Sequence, residues 1–323
     1  MTAKPRIVVA RRLLPSVEAE LHRRFDCLSN PEDDVLSPEE LVARAQAHHA
    51  DGMLVTLTDR LPATAIAALP DSVRVIATYS VGFNHIDIEE AKARGIVVAY
   101  CPEATTTATA DVAMMLLLAA CRRLSAFERD LRQGQWGAWT AWKDLGTDPT
   151  GKTLGIVGMG RIGQAVAARA RAFGMRIAYH QRRRLLPEQE GDAIFHPTLE
   201  SLFRSSQVIS LHAPATPETT RMVNRDSLAW LPRGAILVNT ARGDLVDDDA
   251  LIAALQDGHL AAAGLDVFAG EPHFDKRYLG LANVTLLPHI GTSTAETRDR
   301  MGADTIANLS AVFAGTAPPW RVV

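Results

Sequence analysis

Residues 153–163 have the sequence TLGIVGMGRIG, which joins an apolar, strand-like run to the start of a helix-like run. Its three glycines match the G-x-G-x-x-G pattern of a phosphate-binding turn. In that pattern Gly158 permits the tight turn, Gly160 lets the backbone approach a pyrophosphate, and Gly163 allows close helix–strand packing. The first N–H groups of the helix would face the phosphates. The stretch predicts a dinucleotide site formed by Gly158, Met159, Gly160, Arg161, Ile162 and Gly163.

Short apolar runs alternate with helix-length segments on both sides of this turn. Strands are predicted at 7–10, 52–57 and 73–79, with helices at 37–50 and 64–69. Further strands are predicted at 175–180, 208–213, 235–241, 262–268 and 284–290. This alternation is typical of parallel sheets covered by helices, so we expect an α/β protein with two doubly wound parallel-sheet domains. The Gly- and Trp-rich segment 134–151 predicts irregular structure.

The composition excludes several classes of protein. The formal net charge is -3, which gives no overall positive field for nucleic acid. Three widely spaced cysteines favour a reducing compartment over a disulfide framework. The apolar run at 7–10 is too short for a signal peptide, and Val112–Cys121 is too short for a membrane span. We therefore expect a cytoplasmic protein without a membrane or nucleic-acid partner, and no histidine spacing indicates a metal site.

The second strand after the glycine turn ends at Gln181-Arg182-Arg183-Arg184. An NAD site usually has an acidic residue here, which accepts hydrogen bonds from the ribose hydroxyls. No acidic residue occurs from Gly174 to Pro187. Because Gln and Arg can donate hydrogen bonds to a 2′-phosphate, the sequence favours NADP, with NAD as the weaker possibility. A solvated basic run on a surface turn is the alternative.

Three polar residues follow late strands, where ligands bind in open α/β sheets: Arg242, Glu271 and His289. Arg242 offers a fork of donors that suits a carboxylate and can polarise a carbonyl group. His289 can deliver a proton near neutral pH, and Glu271 could orient its ring. These are the groups that the reduction of a 2-oxo acid requires. Taken singly, each residue is also typical of a surface ion pair, a turn or a loop.

Several separated motifs occur in one order along nearly the whole chain. They are DGMLVTLTDRL from residue 51, YSVGFNHID from 79, the glycine turn and PHIGTST from 288. In these motifs and their order the chain resembles the D-isomer-specific 2-hydroxyacid dehydrogenase family, most of all its glyoxylate/hydroxypyruvate reductases. The resemblance implies NAD(P)H-dependent reduction of glyoxylate, hydroxypyruvate or a similar 2-oxo acid to the D-2-hydroxy acid. The hydride would come from nicotinamide and the proton from His289.

The resemblance also assigns domains and further site residues. It implies a Rossmann-type dinucleotide domain at 101–289, inserted in a substrate domain at 1–100 that 290–323 completes. The N–H groups of Val81 and Gly82 would hold the substrate carboxylate, beside Arg242, while Leu57 would face the substrate. Cofactor-lining positions are Thr109, Pro214, Thr240, Ala241, Asp266 and Gly291. Asp266 would accept from the carboxamide; alternatively it caps N–H groups at the strand end.

The resemblance further implies a homodimer, paired through the apolar run Val112–Cys121. Trp142 would then reach the neighbouring subunit's active site, unless Trp136, Trp139 and Trp142 only pack their own loop. Two other functions stay open at this point. One is a non-catalytic, dinucleotide-sensing corepressor, and the other is a formate dehydrogenase, against which Glu271 argues because that branch has Gln there. The sequence does not identify the 2-oxo acid or the size of the NADPH preference.

Overall fold

The computed structural model of the protein describes residues 3–143 and 145–323. They form two compact units: one runs up to Thr105 and includes Thr292–Val323, and the other is Thr106–Gly291. The division therefore falls a few residues later than the expected 100/101 and 289/290. Cys101 belongs to the first unit because its N–H donates to the carbonyl of Ser80 and its thiol lies 3.1 Å from Oγ1 of Thr305.

The helices and strands follow one another in the alternation that the sequence indicates. In the described residues the strands are β1 (Arg6–Val9), β2 (Asp26–Leu28), β3 (Gly52–Val55), β4 (Val75–Thr78), β5 (Val97–Ala99), β6 (Thr153–Val157), β7 (Arg176–His180), β8 (Ile194–Phe195), β9 (Val208–Leu211), β10 (Ala235–Asn239), β11 (Leu260–Leu265) and β12 (Val284–Leu286). The α-helices there are α1 (Pro15–Arg24), α2 (Pro38–Ala47), α3 (Ala63–Ala67), α4 (Ile88–Ala93), α5 (Thr106–Cys121), α6 (Leu124–Arg132), α7 (Arg161–Ala172), α8 (Pro187–Glu190), α9 (Leu199–Ser205), α10 (Arg225–Ala229), α11 (Asp248–Gln256) and α12 (Ala295–Phe313). Short 3₁₀ turns cover Gly243–Leu245 and Lys276–Gly280.

The first unit is built on a parallel five-stranded sheet with the order β2-β1-β3-β4-β5. Its central strands are buried on both faces, so they are apolar throughout rather than alternating. Helix α12 returns to this unit and lies close to α1, since a Cβ at Gly302 would come within 2.3 Å of Val17. The C-terminal segment thus completes the core that the first hundred residues begin.

The second unit contains a parallel seven-stranded sheet with the order β12-β11-β10-β9-β6-β7-β8. The chain runs outward from β6 to β8 and then returns to β9 on the other side of β6, which is the strand order of a Rossmann-type fold. The apolar helix α5 packs closely on this sheet, because a Cβ at Gly264 would lie 2.8 Å from Leu116. The predicted class, two parallel-sheet α/β domains, is confirmed.

Most differences from the predicted elements concern their ends. Strand β3 stops at Val55 because the N–H of Thr56 turns to donate to Asp59, at 2.7 Å, instead of continuing the ladder. The short edge strands β2, β5 and β8 were not predicted. Helix α2 begins as expected, with Ser37 and Glu40 forming a capping box. The described residues of 134–151 form no helix or strand, as expected; Asp144 of this segment lies outside them.

None of the helices in residues 3–143 and 145–323 combines the length and the apolar character that crossing a bilayer requires.

Candidate functional site

The glycine turn between β6 and α7 contains two glycines that the fold itself requires. Gly158 has a φ of +92°, and a Cβ there would lie 2.8 Å from the backbone of His212. A Cβ on Gly163 would lie 2.3 Å from the carbonyl oxygen of Gly158. Gly160 differs, because a Cβ there would meet nothing within 4 Å. It caps α7 without a side chain, so the turn presents bare backbone where a phosphate would bind.

The other residues of this turn have unequal access to a ligand. The side chain of Met159 is buried in the core of the second unit, and its N–H already donates to Gln181 at 3.0 Å. Ile162 is half-buried, and Arg161 is exposed at the first position of α7. Contact of Met159 with a cofactor would therefore have to use atoms other than its side chain or its N–H group.

The three consecutive arginines in the segment after β7 differ in whether another side chain pairs with them. Gln181 ties this segment to the glycine turn, and its Nε2 donates to the carbonyl of Arg183 at 2.7 Å. Arg182 and Arg183 are exposed. Arg184 instead forms a salt bridge with the buried Glu190, at 2.8 Å. The guanidinium of Arg184 is thus already paired within the loop, although 64 % of its side chain is exposed, and its role at a phosphate stays a prediction.

Arg242 follows β10 directly, and its position is fixed by the residue after it. A Cβ on Gly243 would lie 1.9 Å from the backbone of Phe268, so only glycine allows these two segments to touch. Asn239 donates to the carbonyl of Arg242 at 2.9 Å. Burial lowers the pKa of Arg242, and the nearby carboxylates of Glu271 and Asp244 oppose that shift. The guanidinium is therefore partly desolvated and close to Glu271.

His289 and Glu271 form a hydrogen-bonded pair, with Nδ1 of the ring 2.7 Å from Oε2 of the carboxylate. His289 has a left-handed φ of +54°, which the surrounding backbone holds in place. Its N–H donates to the carbonyl of Asp266, and the carboxylate of Asp266 accepts from Ile290 at 2.7 Å and Gly291 at 2.9 Å. These bonds fix the backbone from which the His289 side chain projects.

Asp266 is only 1 % exposed, and each of its carboxylate oxygens accepts one of these backbone N–H groups. Of the two roles expected for Asp266, the structure thus shows the capping role. Its effect is to hold His289 where Glu271 can reach it. Desolvation raises the pKa of Asp266, and the two N–H donors oppose that shift.

The remaining cofactor positions lie after three strands and in one helix: Pro214 follows β9, Thr240 and Ala241 follow β10, Gly291 follows β12, and Thr109 lies in α5. Oγ1 of Thr240 is buried and has no hydrogen-bond partner among the residues that the structure describes. An orphaned hydroxyl group next to Arg242 fits a polar ligand at this edge of the sheet. Thr109 donates to the carbonyl of Gly291 at 3.5 Å, Ala241 is half-buried and Pro214 is exposed. Together with the open face of Gly160, Thr240 gives a donor set that a dinucleotide can use.

The substrate positions Leu57, Val81 and Gly82 lie in the first unit, in the loops after β3 and β4. Leu57 is 40 % exposed. The tryptophans of segment 134–151 do not pack their loop down: Trp136, Trp139 and Trp142 are 84 %, 87 % and 78 % exposed. The alternative that they serve only loop packing within one chain is therefore wrong.

Three residues that support the site were not predicted from the sequence. Gly243 lies directly against the backbone of Phe268, Asn239 donates to the carbonyl of Arg242, and Glu190 pairs with Arg184. The only sequence pattern that indicates Gly243 is the ARGD motif shortly after a strand, and this motif is a weak predictor of a close backbone contact. Within residues 3–143 and 145–323, no group of three or more His, Cys, Asp or Glu side chains could hold a metal ion.

The chain is similar in sequence to known proteins. Residues 114–291 match the model of the D-isomer specific 2-hydroxyacid dehydrogenase, NAD binding domain. The chain is 40 % identical to glycerate dehydrogenase of Hyphomicrobium methylovorum over 315 residues, which are 97 % of each chain. It is 41 % identical to glyoxylate reductase of Thermococcus kodakarensis over 324 residues, 99 % of this chain and 96 % of that one.

A solved structure is similar over the same length. The NADPH-dependent glyoxylate/hydroxypyruvate reductase of Sinorhizobium meliloti, in complex with NADP and malonate, superposes with a TM-score of 0.86 at 35 % identity. The match covers 99 % of this chain and 97 % of that chain. The second unit is thus an NAD(P)-binding domain, and the protein belongs to the D-isomer specific 2-hydroxyacid dehydrogenase family.

Proposed function

We propose that this enzyme reduces a small 2-oxo acid, such as glyoxylate or hydroxypyruvate, to the D-2-hydroxy acid, with NADPH preferred to NADH. The observation that carries the proposal is the His289–Glu271 pair, 2.7 Å apart, beside the partly desolvated Arg242. The names of the relatives from Hyphomicrobium methylovorum and Thermococcus kodakarensis support the same class of substrate.

Proton transfer is the step that this chain performs with its own side chains. The hydride comes from the bound nicotinamide cofactor. Because Glu271 holds Nδ1 of His289, the opposite nitrogen, Nε2, is the one that donates a proton to the substrate's carbonyl oxygen. Arg242 binds the same substrate through its fork of donors, and polarises its carbonyl group. In the reverse direction Nε2 takes up the proton of the 2-hydroxyl group.

The preference for NADPH rests on the segment after β7. Here the side chain of Gln181 stands where an NAD enzyme usually has an acidic residue. The exposed Arg182 and Arg183 follow it and can donate to a 2′-phosphate. The NADP complex of the Sinorhizobium meliloti reductase supports this choice. Gly160, Thr240 and Thr109 would line the rest of the dinucleotide site, with Pro214, Ala241, Arg161, Ile162 and Gly291.

Recognition of the substrate carboxylate is assigned to the first unit. We propose that the N–H groups of Val81 and Gly82 donate to the carboxylate and that Leu57 contacts the substrate's side chain. No backbone hydrogen bond from either N–H group occurs within the described part of this unit, which leaves both donors available to an anion. In this proposal the first unit contributes donors to the substrate carboxylate, and the second unit contributes Arg242, His289 and the dinucleotide site.

The exposed tryptophans support a homodimer. Trp136, Trp139 and Trp142 expose three large aromatic side chains within one segment, and such clusters often mark protein–protein contacts. We propose that a second copy of the chain covers this segment and that Trp142 reaches the partner's substrate. A cytoplasmic location is in keeping with cysteines 27, 101 and 121, all of which are free thiols.

Steady-state kinetics with a panel of 2-oxo acids, each with NADPH and with NADH, test the proposal. Glyoxylate and hydroxypyruvate should be reduced, chiral products should have the D configuration, and NADPH should give the higher kcat/KM. Cofactor binding without turnover of any 2-oxo acid would refute an enzymatic role and favour a dinucleotide sensor. Light scattering of the purified protein tests the dimer.

A further inference from the structure

The turn after β4 contains Val81 and Gly82. Three polar side chains, those of Ser80, Thr78 and His85, are connected to this turn by hydrogen bonds. Oγ of Ser80 lies 2.6 Å from the carbonyl oxygen of Gly82. Oγ1 of Thr78 lies 2.7 Å from Oγ of Ser80 and 3.0 Å from Nε2 of His85. Thr78 is 0 % exposed and Ser80 is 5 % exposed, so neither can touch a substrate.

Only one assignment of donors and acceptors satisfies these three hydrogen bonds. The carbonyl of Gly82 accepts only, so Ser80 must donate its hydroxyl proton to it. The oxygen of Ser80 therefore accepts from Thr78, whose single hydroxyl proton is then used. Thr78 must in turn accept from His85, which carries a proton on Nε2. The result is a chain of hydrogen bonds that all run from the ring of His85 to the carbonyl of Gly82.

Backbone contacts hold both ends of this chain. The carbonyl of Ser80 accepts from Cys101 at 3.0 Å, and the carbonyl of His85 accepts from Leu61 at 2.8 Å. The ring of Phe83, inside the turn, packs edge-on against Tyr100. With its flanks fixed, the peptide between Gly82 and Phe83 can be rotated only by breaking the bond from Ser80.

We infer that Thr78, Ser80 and His85 are positioning residues, which set the affinity of the enzyme for the substrate carboxylate by fixing the turn that carries Val81 and Gly82. This rests on the proposed role of those two N–H groups. Bonds in such a chain polarise one another, so loss of the Thr78 hydroxyl group removes its bonds to His85 and Ser80 and weakens the remaining bond from Ser80 to Gly82. The chain acts on binding rather than on hydride or proton transfer.

Kinetics of Thr78→Val and Thr78→Ser test the inference. Valine has nearly the shape of threonine but neither accepts nor donates, whereas serine keeps the hydroxyl group. We expect Thr78→Val to raise KM for glyoxylate about tenfold, the equivalent of one lost hydrogen bond, with KM for NADPH and kcat changed by less than about threefold. Thr78→Ser, which keeps the hydroxyl group, should have a KM for glyoxylate close to that of the wild type. Equal KM values in wild type and Thr78→Val, or equal increases in both variants, would overturn it.

Ser80→Ala serves as a second variant if Thr78→Val does not fold. It removes the bond to Gly82 together with the bond that Ser80 accepts from Thr78, and it should also raise KM for glyoxylate without changing KM for NADPH. A wild-type KM for glyoxylate in this variant would contradict the inference.

The direction of the chain has an independent spectroscopic test. In the ¹⁵N NMR spectrum of the whole protein, His85 should carry its proton on Nε2 in the wild type and in Thr78→Ser. A neutral ring protonated only on Nδ1 would overturn the assignment. This measurement needs no turnover, so it separates failure of the inference from failure of the proposed function: an enzyme inactive on all 2-oxo acids would still show the predicted tautomer.

Discussion

Nδ1 of His289 lies 2.7 Å from Oε2 of Glu271, although the two residues follow different strands. They meet because β11 and β12 are neighbours in a parallel sheet, so the loops after both strands leave from the same edge. Because of this contact, Nδ1 and Nε2 of His289 have different roles. One nitrogen is held by the carboxylate, and the other can exchange a proton with a ligand.

Replacing His289 should remove the proton donor. We expect His289→Ala to lower kcat for glyoxylate reduction by about 10²-fold or more, the usual contribution of general acid catalysis, with little change in NADPH affinity. His273→Ala is a matched control, since His273 is exposed in the same loop region and has no assigned role. A near-wild-type kcat in His289→Ala would exclude this histidine as the donor.

Arg242→Lys should damage catalysis although it keeps the charge. Lysine is a point charge and cannot present two donors in a fixed fork. The expected loss is at least about 2 kcal/mol in kcat/KM, the range of a charged hydrogen bond. Arg233→Lys, at a distant arginine that donates to a backbone carbonyl, should leave kinetics unchanged. A loss below about twofold in Arg242→Lys would make Arg242 structural only.

The choice of cofactor should reverse when Gln181→Asp is combined with Arg182→Ala. Asp at 181 would repel a 2′-phosphate and accept from bare ribose hydroxyls, while the loss of Arg182 removes a bond of about 1.5–3 kcal/mol. The readout is the ratio of kcat/KM for NADPH to that for NADH. In the wild type this ratio should exceed one and fall with added salt, because exposed ion pairs are screened.

Arg184→Gln is the control for this exchange. It breaks the salt bridge with Glu190, so it should lower Tm but keep the cofactor ratio above one. A reversed ratio in Arg184→Gln, or a wild-type ratio below one, would contradict the assignment of the phosphate site to Arg182 and Arg183.

Alanine at two glycines of the same turn should have opposite consequences. At Gly160 the new methyl group meets nothing of the protein, so Tm should hold while KM for NADPH rises by about tenfold or more. At Gly163 the methyl group would lie 2.3 Å from the carbonyl of Gly158, so Tm should fall. Thermal unfolding and NADPH titration of both variants are the measurements. An unchanged KM in Gly160→Ala would mean that no phosphate approaches this position.

The stability of the protein should depend on pH through His212. Burial lowers the pKa of His212 from 6.5 to about 4, and its Nε2 lies 2.8 Å from Oγ of Ser210. Below about pH 6.5 the unfolded chain takes up a proton that the native ring binds only near pH 4. Stability is therefore lost as the pH falls through this interval. Tm of His212→Gln should fall less steeply from pH 7 to 4 than Tm of the wild type. Identical slopes of Tm against pH in both proteins would contradict a contribution of His212.

Prediction from the sequence succeeded where a residue's role depends on its immediate neighbours. The helix start at Ser37 and the turn at Gly158 are local patterns, and both occur as expected. It failed where the partner is distant in sequence. Nothing near Asp266 indicates that the N–H groups of Ile290 and Gly291, which lie 24 and 25 residues later, would donate to its carboxylate.

The close contact of Gly243 with the backbone of Phe268 has a consequence for protein engineering. Because no side chain separates them, Arg242 and the segment leading to Glu271 cannot be moved apart by repacking. Directed evolution toward bulkier 2-oxo acids would therefore gain little from substitutions around this contact. Libraries at Leu57, whose exposed side chain supports no comparable backbone contact, are the better starting point.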